Sequence, residues 1–146
     1  MSIVGFNFTK INAEKKEGAK GKINIKNNVI IKDVVEQSMS LGAKDTKAMR
    51  VDFQFVSEYQ PSLGNITIDS SIVALRPASE IAQIIKDWNE TKQLPAELIE
   101  QLFSYVLRRC NIKAIMLAED LNLPSPVPLP RVETKAQTEE PEKKEE

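Results

Sequence analysis

The chain has 146 residues, a formal net charge of −1, a single cysteine and no histidine. That length suffices for one domain whose core needs neither a metal ion nor a disulfide. Cys110 has no second cysteine to pair with, and the lack of histidine removes the usual base of a cysteine nucleophile and a common zinc ligand. We therefore predict no cofactor, no metal and no catalysis, and the cysteine content is typical of the reducing cytoplasm.

The charges are unevenly placed along the chain. Residues 133–146 hold six acids and three lysines, which leaves 15 acids and 17 bases in the rest of the chain. An excess of two positive charges is too small to predict nucleic-acid binding. The acidic tail lacks apolar anchors, so we predict a single domain over residues 1–131 and a disordered tail over residues 132–146. Neither a signal peptide nor a membrane-spanning apolar run is visible, and no membrane insertion is predicted.

The first two strands are predicted from alternating apolar and polar residues. Residues 4–13 alternate with one shift of parity, which indicates a bulge near Thr9 or Lys10. Residues 22–36 alternate with an interruption at Asn27 and Asn28, which is either a bulge or the turn of a hairpin. Because the apolar positions keep one parity as far as Val35, one long strand with a single buried face is favoured.

A third and a fourth strand form an antiparallel hairpin around the turn at residues 60–64. Their apolar positions centre on Phe53 and Ile68. The acidic residues between them, Asp52, Glu58 and Asp69, are predicted to lie on the solvated face of the hairpin rather than to catalyse a reaction.

The apolar residues after the hairpin follow helical spacing. A first amphipathic helix is indicated by Ile81, Ile84, Ile85 and Trp88, with Ser79 as its N-cap. A second begins at Pro95 and carries a broad apolar stripe that includes Ile112 and Met116. Asn111 leaves open whether this segment is one helix or two, over residues 95–110 and 112–121, and one helix is favoured.

The chain then enters a proline-rich segment. Four prolines alternate over residues 124–130, which favours polyproline II geometry. The apolar Val127 and Leu129 favour a strap (residues 121–131) that packs on its own domain, over a ligand strand for a partner protein. Four strands followed by two or three helices predict an α+β fold, with a four-stranded antiparallel sheet and the helices on one face.

Several strings in this order resemble SecB, the export chaperone. FNFTKI at residues 6–11 is similar to the start of its first strand, and LNLPSPV at residues 121–127 resembles its closing L-N-L-A-P-V string. The hairpin around Phe53 and Ile68 and the two C-terminal helices match its order. The string LPSPVPLPRV, from Leu123 to Val132, also resembles the ends of small archaeal proteins of unassigned function. The proline run is longer than in SecB, and the tail differs from the one that docks on the translocation motor.

The resemblance implies a molecular chaperone of the holdase type, which binds non-native polypeptides in an apolar groove. It also implies a homo-oligomer, a dimer of dimers assembled through the sheet and the long helix. Extended clients would add main-chain hydrogen bonds, and apolar pockets tolerate many sequences. The peptide- or partner-binding residues that it implies are Phe53, Phe55, Tyr59 and Trp88. From the strap, Val127 and Leu129 are added as candidate peptide- or partner-binding residues. For the strand residues Phe53, Phe55 and Tyr59, the alternative interpretation is that they fill an ordinary hydrophobic core.

A different class of function fits the same sequence. The protein would then be a structural or adaptor subunit of a larger assembly, for example a ribosome-associated one, with the strap and the acidic tail as contacts. A holdase suppresses the aggregation of unrelated unfolded proteins without nucleotide, whereas an adaptor co-purifies with one defined partner. The sequence shows no phosphate-binding loop or paired-carboxylate motif, so neither hypothesis is an enzyme.

Overall fold

The computed structural model describes residues 2–17, 21–38 and 46–130, so the predicted acidic tail lies outside the described residues. Within these ranges the elements are β1 (Ser2–Lys15), β2 (Asn24–Gln37), β3 (Thr46–Gln60), β4 (Gly64–Pro77), α1 (Ala78–Thr91) and α2 (Ala96–Asp120). The strands form one antiparallel sheet in the order β1-β4-β3-β2. Strands β2, β3 and β4 follow one another as hairpins and β1 lies beside β4, a Greek-key arrangement. The α+β prediction is confirmed.

Register shifts decide which side chains of the edge strands face the core. The pairing of β1 with β4 shifts between Phe8 and Lys10, where the sequence predicts a bulge. Strand β2 passes through Asn27 and Asn28 as one strand, but its pairing with β3 shifts after Ile31. The extra residue there turns Val34 into the core and leaves Val35 half-buried. The prediction that Val35 shares the buried face is therefore wrong.

The two central strands bury every second side chain beneath the helices. The fully buried large residues of this face are Met49, Val51, Phe53, Phe55, Tyr59, Ile66, Ile68 and Ile72. The opposite face is polar, as predicted: Asp52 accepts hydrogen bonds from Arg50 and Ser71, and Asp69 accepts one from Gln54. The helices therefore cover one face of the sheet and leave the other to solvent.

Helix α2 is continuous through Asn111, as favoured, and covers the sheet with every fourth residue. Its buried row is Leu98, Leu102, Val106, Cys110, Ala114 and Ala118. Helix α1 adds Ile81, Ile84 and Trp88 to the same core. The predicted cap at Ser79 is wrong: α1 begins at Ala78 directly after β4, so Pro77 is the cap and Ser79 lies inside the first turn. Neither helix combines the length and hydropathy needed to cross a bilayer, within the described ranges.

Gly64 begins β4 where the backbone of β1 approaches it closely. A Cβ atom at this position would lie 2.2 Å from the carbonyl oxygen of Glu14 and 3.2 Å from the Cα atom of Lys15. We expect Gly64→Ala to lower the free energy of unfolding by about 1–3 kcal/mol, the usual cost of overpacking. Gly5→Ala is the control, because its Cβ would meet only the side chain of Val73, at 3.6 Å. Urea unfolding compares the two variants, and equal stabilities would contradict the close approach.

Candidate functional site

The strap packs across the end of the sheet after α2, and the structure describes it through Pro130. Leu123 is 6% exposed and belongs to the main core, where its N–H donates to the carbonyl of Ala118 at the end of α2. Pro126 is buried and Val127 is half-buried, whereas Leu129 is 50% exposed. The strap therefore starts in the core and becomes more exposed towards Pro130.

Two side chains of the sheet hold the strap by its backbone. The Tyr59 hydroxyl donates to the carbonyl oxygen of Pro124, and the Asn27 amide nitrogen donates to that of Pro126 at 2.8 Å. Asn27 and Ser57 pair in register across β2 and β3, and the Ser57 hydroxyl donates to the Asn27 side-chain oxygen. This second bond directs the Asn27 amide group towards the strap. The sheet thus presents two oriented donors to carbonyl groups two residues apart.

Few backbone N–H groups of the strap require a hydrogen-bond partner on the sheet. Pro124 and Pro126 have no backbone N–H to satisfy. The Ser125 hydroxyl donates to the carbonyl of Val127 at 2.6 Å and accepts from its N–H at 3.4 Å, so this turn is closed within the strap. The sheet therefore binds the strap through carbonyl groups and apolar surface.

The structure places the six predicted peptide- or partner-binding residues in different surroundings. Phe53 and Phe55 are completely buried, and the Phe53 ring packs edge-on against Phe103 of α2 with centroids 5.8 Å apart. Trp88 is 5% exposed, and within the described residues its indole N–H has no hydrogen-bond partner. Only Tyr59 joins the core to the strap, because its ring is buried and its hydroxyl binds Pro124. Val127 and Leu129 lie on the strap itself.

The sequence analysis missed Asn27 and Ser57 as site residues. Both occupy positions of β2 and β3 that face the helices, between apolar neighbours. Two polar residues at such positions, paired across neighbouring strands, were the feature of the sequence that could have identified this site. It indicates a partner group on the covered face, which the structure identifies as the carbonyl of Pro126.

A second surface lies where α2 passes over the unpaired edge of β1. Tyr105 packs on Phe6 with ring centroids 5.7 Å apart, and the Arg109 guanidinium lies 5.0 Å from the Phe6 ring centroid. The Lys113 ammonium lies 5.8 Å from the ring centroid of Phe8. These cation–π contacts cover the aromatic side chains of β1 with the basic face of the helix.

Exposed apolar residues extend this second surface. Ile112 and Met116 are 56% and 54% exposed, and Val4 and Ile11 of β1 are 49% and 41% exposed. The prediction that Ile112 and Met116 belong to the buried stripe is therefore wrong, because the row at every fourth residue from Leu98 faces the sheet instead. We call Val4, Ile11, Ile112 and Met116, together with the free backbone edge of β1, the edge surface.

Cys110 has no features of a reactive cysteine. It lies in the buried row of α2, and burial raises the pKa of its thiol to about 11, with an opposing contribution from the hydroxyl of Ser70. The thiolate is therefore disfavoured at neutral pH. No cluster of metal-ligating side chains occurs in the part of the chain that the structure describes.

Tyr59 gives the strap a pH-dependent contact. Burial raises the pKa of its hydroxyl from 10.0 to about 12, and the bond to Pro124 requires the protonated form. Between these two pKa values the unfolded chain releases a proton that the folded chain keeps, so stability falls as the pH rises from 10 to 12. We expect the melting temperature of the wild type to fall more steeply over this interval than that of Tyr59→Phe. Thermal melts at several pH values test this, and parallel curves would contradict it, since the Cys110 titration is common to both proteins.

Comparison with known proteins gives likeness in structure but none in sequence. No protein-family model matches the chain, and no curated protein is similar to it in sequence. The SecB-like chaperone Rv1957 of Mycobacterium tuberculosis was solved in complex with a ChAD peptide from the Rv1956 HigA1 antitoxin. It matches 90% of this chain and 89% of its own, with 11% identity and a TM-score of 0.49.

Proposed function

We propose that this protein is a non-enzymatic molecular chaperone of the holdase type, which binds extended segments of non-native polypeptides. The observation that carries the proposal is the pair of donors on Asn27 and Tyr59, which bind the backbone carbonyls of Pro126 and Pro124 in the strap. Because such contacts do not depend on the side chains of the bound segment, the same surface accepts clients of different sequence. The SecB-like strings of the sequence agree with this function.

The proposal includes a homo-oligomer, a dimer of dimers, assembled through the edge surface. An unpaired strand edge exposes N–H and C=O groups that a second strand satisfies. Among the described residues, the outer edge of β1 pairs with no other strand, and the apolar side chains of Val4 and Ile11 on β1 and of Ile112 and Met116 on α2 are 41–56% exposed. Pairing through β1 and α2 would cover both features and leave the strap, at the opposite edge of the sheet, accessible to clients.

Of the six proposed contact residues, Leu129 is 50% exposed and Val127 is half-buried on the strap, which supports a first contact of a client there. Phe53 and Phe55 lie beneath the helices, and Trp88 is on the buried face of α1, so contact of a client with any of them would require the helices to move. The adaptor hypothesis has less support, because a strap whose Pro126 is buried on its own sheet is not presented as a ligand for a partner. Cytoplasmic localisation stays a prediction from composition.

The test is the aggregation of two unrelated proteins, one unfolded by reduction and one by heat, in the absence of nucleotide. We expect the full chain to suppress light scattering by both clients at near-stoichiometric amounts. Serum albumin at equal mass is the control for crowding. Clients that aggregate equally in the presence of the chain and of albumin would refute the holdase function.

A further inference from the structure

We propose that the strap occupies the protein's own binding site for extended, proline-containing segments, and that such a segment binds by replacing it. The ligand class is a polyproline II segment with an apolar residue just before its first proline, as Leu123 stands before Pro124. The identification of this segment with part of a client chain rests on the proposed function. The existence of the binding site does not depend on the proposed function.

The strap is held by contacts that a separate peptide segment could also make. Strands of one sheet bind each other through a continuous main-chain ladder, but the strap is bound by side-chain donors to isolated carbonyls, at Pro124 and Pro126. This is the geometry by which grooves bind proline-rich ligands, whose carbonyls are free and whose prolines lack N–H groups. A separate segment with the same proline spacing can make the same contacts.

The buried hydroxyl of Tyr59 favours an occupied site over an empty one. The Ser57 side chain is completely buried, and its hydroxyl bonds to Asn27, whose amide nitrogen in turn bonds to the strap. Loss of the strap without replacement would leave the hydroxyl of Tyr59, whose side chain is 1% exposed, without its hydrogen-bond partner, which is unfavourable. Asn27 is exposed, so its amide group can bond to water instead. Exchange of one extended segment for another avoids that loss, so replacement is favoured over simple opening.

The attachment of the strap to the rest of the domain weakens from Leu123 towards Pro130. Leu123 is fixed by its backbone bond to Ala118 and by burial in the core. Beyond Pro126 no further hydrogen bond to the sheet occurs in the described part of the strap, and Leu129 is half exposed. The strap can therefore leave from its far end while Leu123 stays in place. Because it is tethered, its effective concentration is in the millimolar range, so a free segment competes poorly until the strap is weakened.

The experiment measures binding of a fluorescein-labelled synthetic peptide with the sequence of residues 121–130 to the full chain, by fluorescence anisotropy. In Pro126→Asp a charge replaces the buried proline of the strap and the sheet is unchanged. We expect this variant to bind the peptide at least about ten-fold more tightly than the wild type, because the tethered competitor is weakened. The matched control is Pro128→Asp, an exposed strap position, which should bind like the wild type. Adding Asn27→Ala to Pro126→Asp should remove most of the gain.

A folded Pro126→Asp protein that binds no better than the wild type would overturn the proposal. A second measurement does not depend on the folding of that variant. Leu129→Cys carries a fluorophore at an exposed position, while Cys110 is buried and stays unlabelled. Excess unlabelled peptide should release the strap and lower the anisotropy of this label, and an unchanged anisotropy at saturating peptide would also overturn the proposal.

These results separate the site from the proposed function. The Pro126→Asp variant could bind the peptide while the wild type fails to suppress client aggregation. That result would support the binding site and refute the holdase function. Client holding by the wild type, with no exchange of the strap in either measurement, would retain the holdase and place its clients elsewhere on the surface.

Discussion

Phe55→Ala is expected to lower the free energy of unfolding by about 3–5 kcal/mol, the usual loss for a buried phenylalanine. Phe55 is completely buried and lies between Val29 of β2 and Ile68 of β4 in the sheet register. Its removal leaves a cavity beneath the helices that the rigid sheet cannot close. Urea unfolding followed by circular dichroism measures the loss.

Leu129→Ala is the control for this variant, since Leu129 is 50% exposed and its truncation should change stability by no more than about 0.5 kcal/mol. The pair also separates two roles for Phe55. A small loss for Phe55→Ala with defective client binding would show that Phe55 contacts clients rather than stabilises the core.

The double variant Ile112→Glu with Met116→Glu is expected to break the proposed oligomer. Two new acids on the edge surface would face their counterparts in a symmetric interface, and unpaired like charges there cost several kcal/mol, or about a 100-fold or larger rise in the dissociation constant. Both side chains are more than half exposed in the single chain, so the fold should be retained. Sedimentation velocity gives the mass of the variant.

Lys86→Glu is the matched control, because it changes the net charge by the same two units at an exposed position of α1. We expect it to sediment like the wild type and the double variant to sediment as the 16.4 kDa chain. A double variant with the mass of a wild-type oligomer would exclude the edge surface as the interface.

The fold class was predictable because its signals are local. Alternation marks β3 and β4, and the change to helical spacing at Ile81 marks the start of the helical layer. The inward-facing position of Val34 was not predictable, because the bulge before it arises from pairing with β3 and leaves no local mark in the sequence. The exposure of Ile112 and Met116 could not be predicted for a similar reason. The apolar stripe of α2 is so broad that the sequence does not show which row of residues faces the sheet.

The candidate site was harder to predict than the fold. The bond between Asn27 and Pro126 joins residues 99 positions apart, and no periodicity connects them. The large aromatic residues attract attention in a sequence as possible contacts, but Phe53 and Phe55 form the core. The residues that bind the strap are instead the polar ones at inward-facing positions, Asn27 and Ser57, together with the hydroxyl of Tyr59. Polar residues at inward-facing strand positions are thus a better guide to such a site than aromatic residues at those positions.

The most direct test of the chaperone proposal is static light scattering of the purified chain, alone and with a reduced, unfolded client. The proposal predicts a homo-oligomer, about 65 kDa for four copies of the 16.4 kDa chain, whose mass increases by that of the bound client. A monomer or dimer whose mass does not change when the client is added would contradict it.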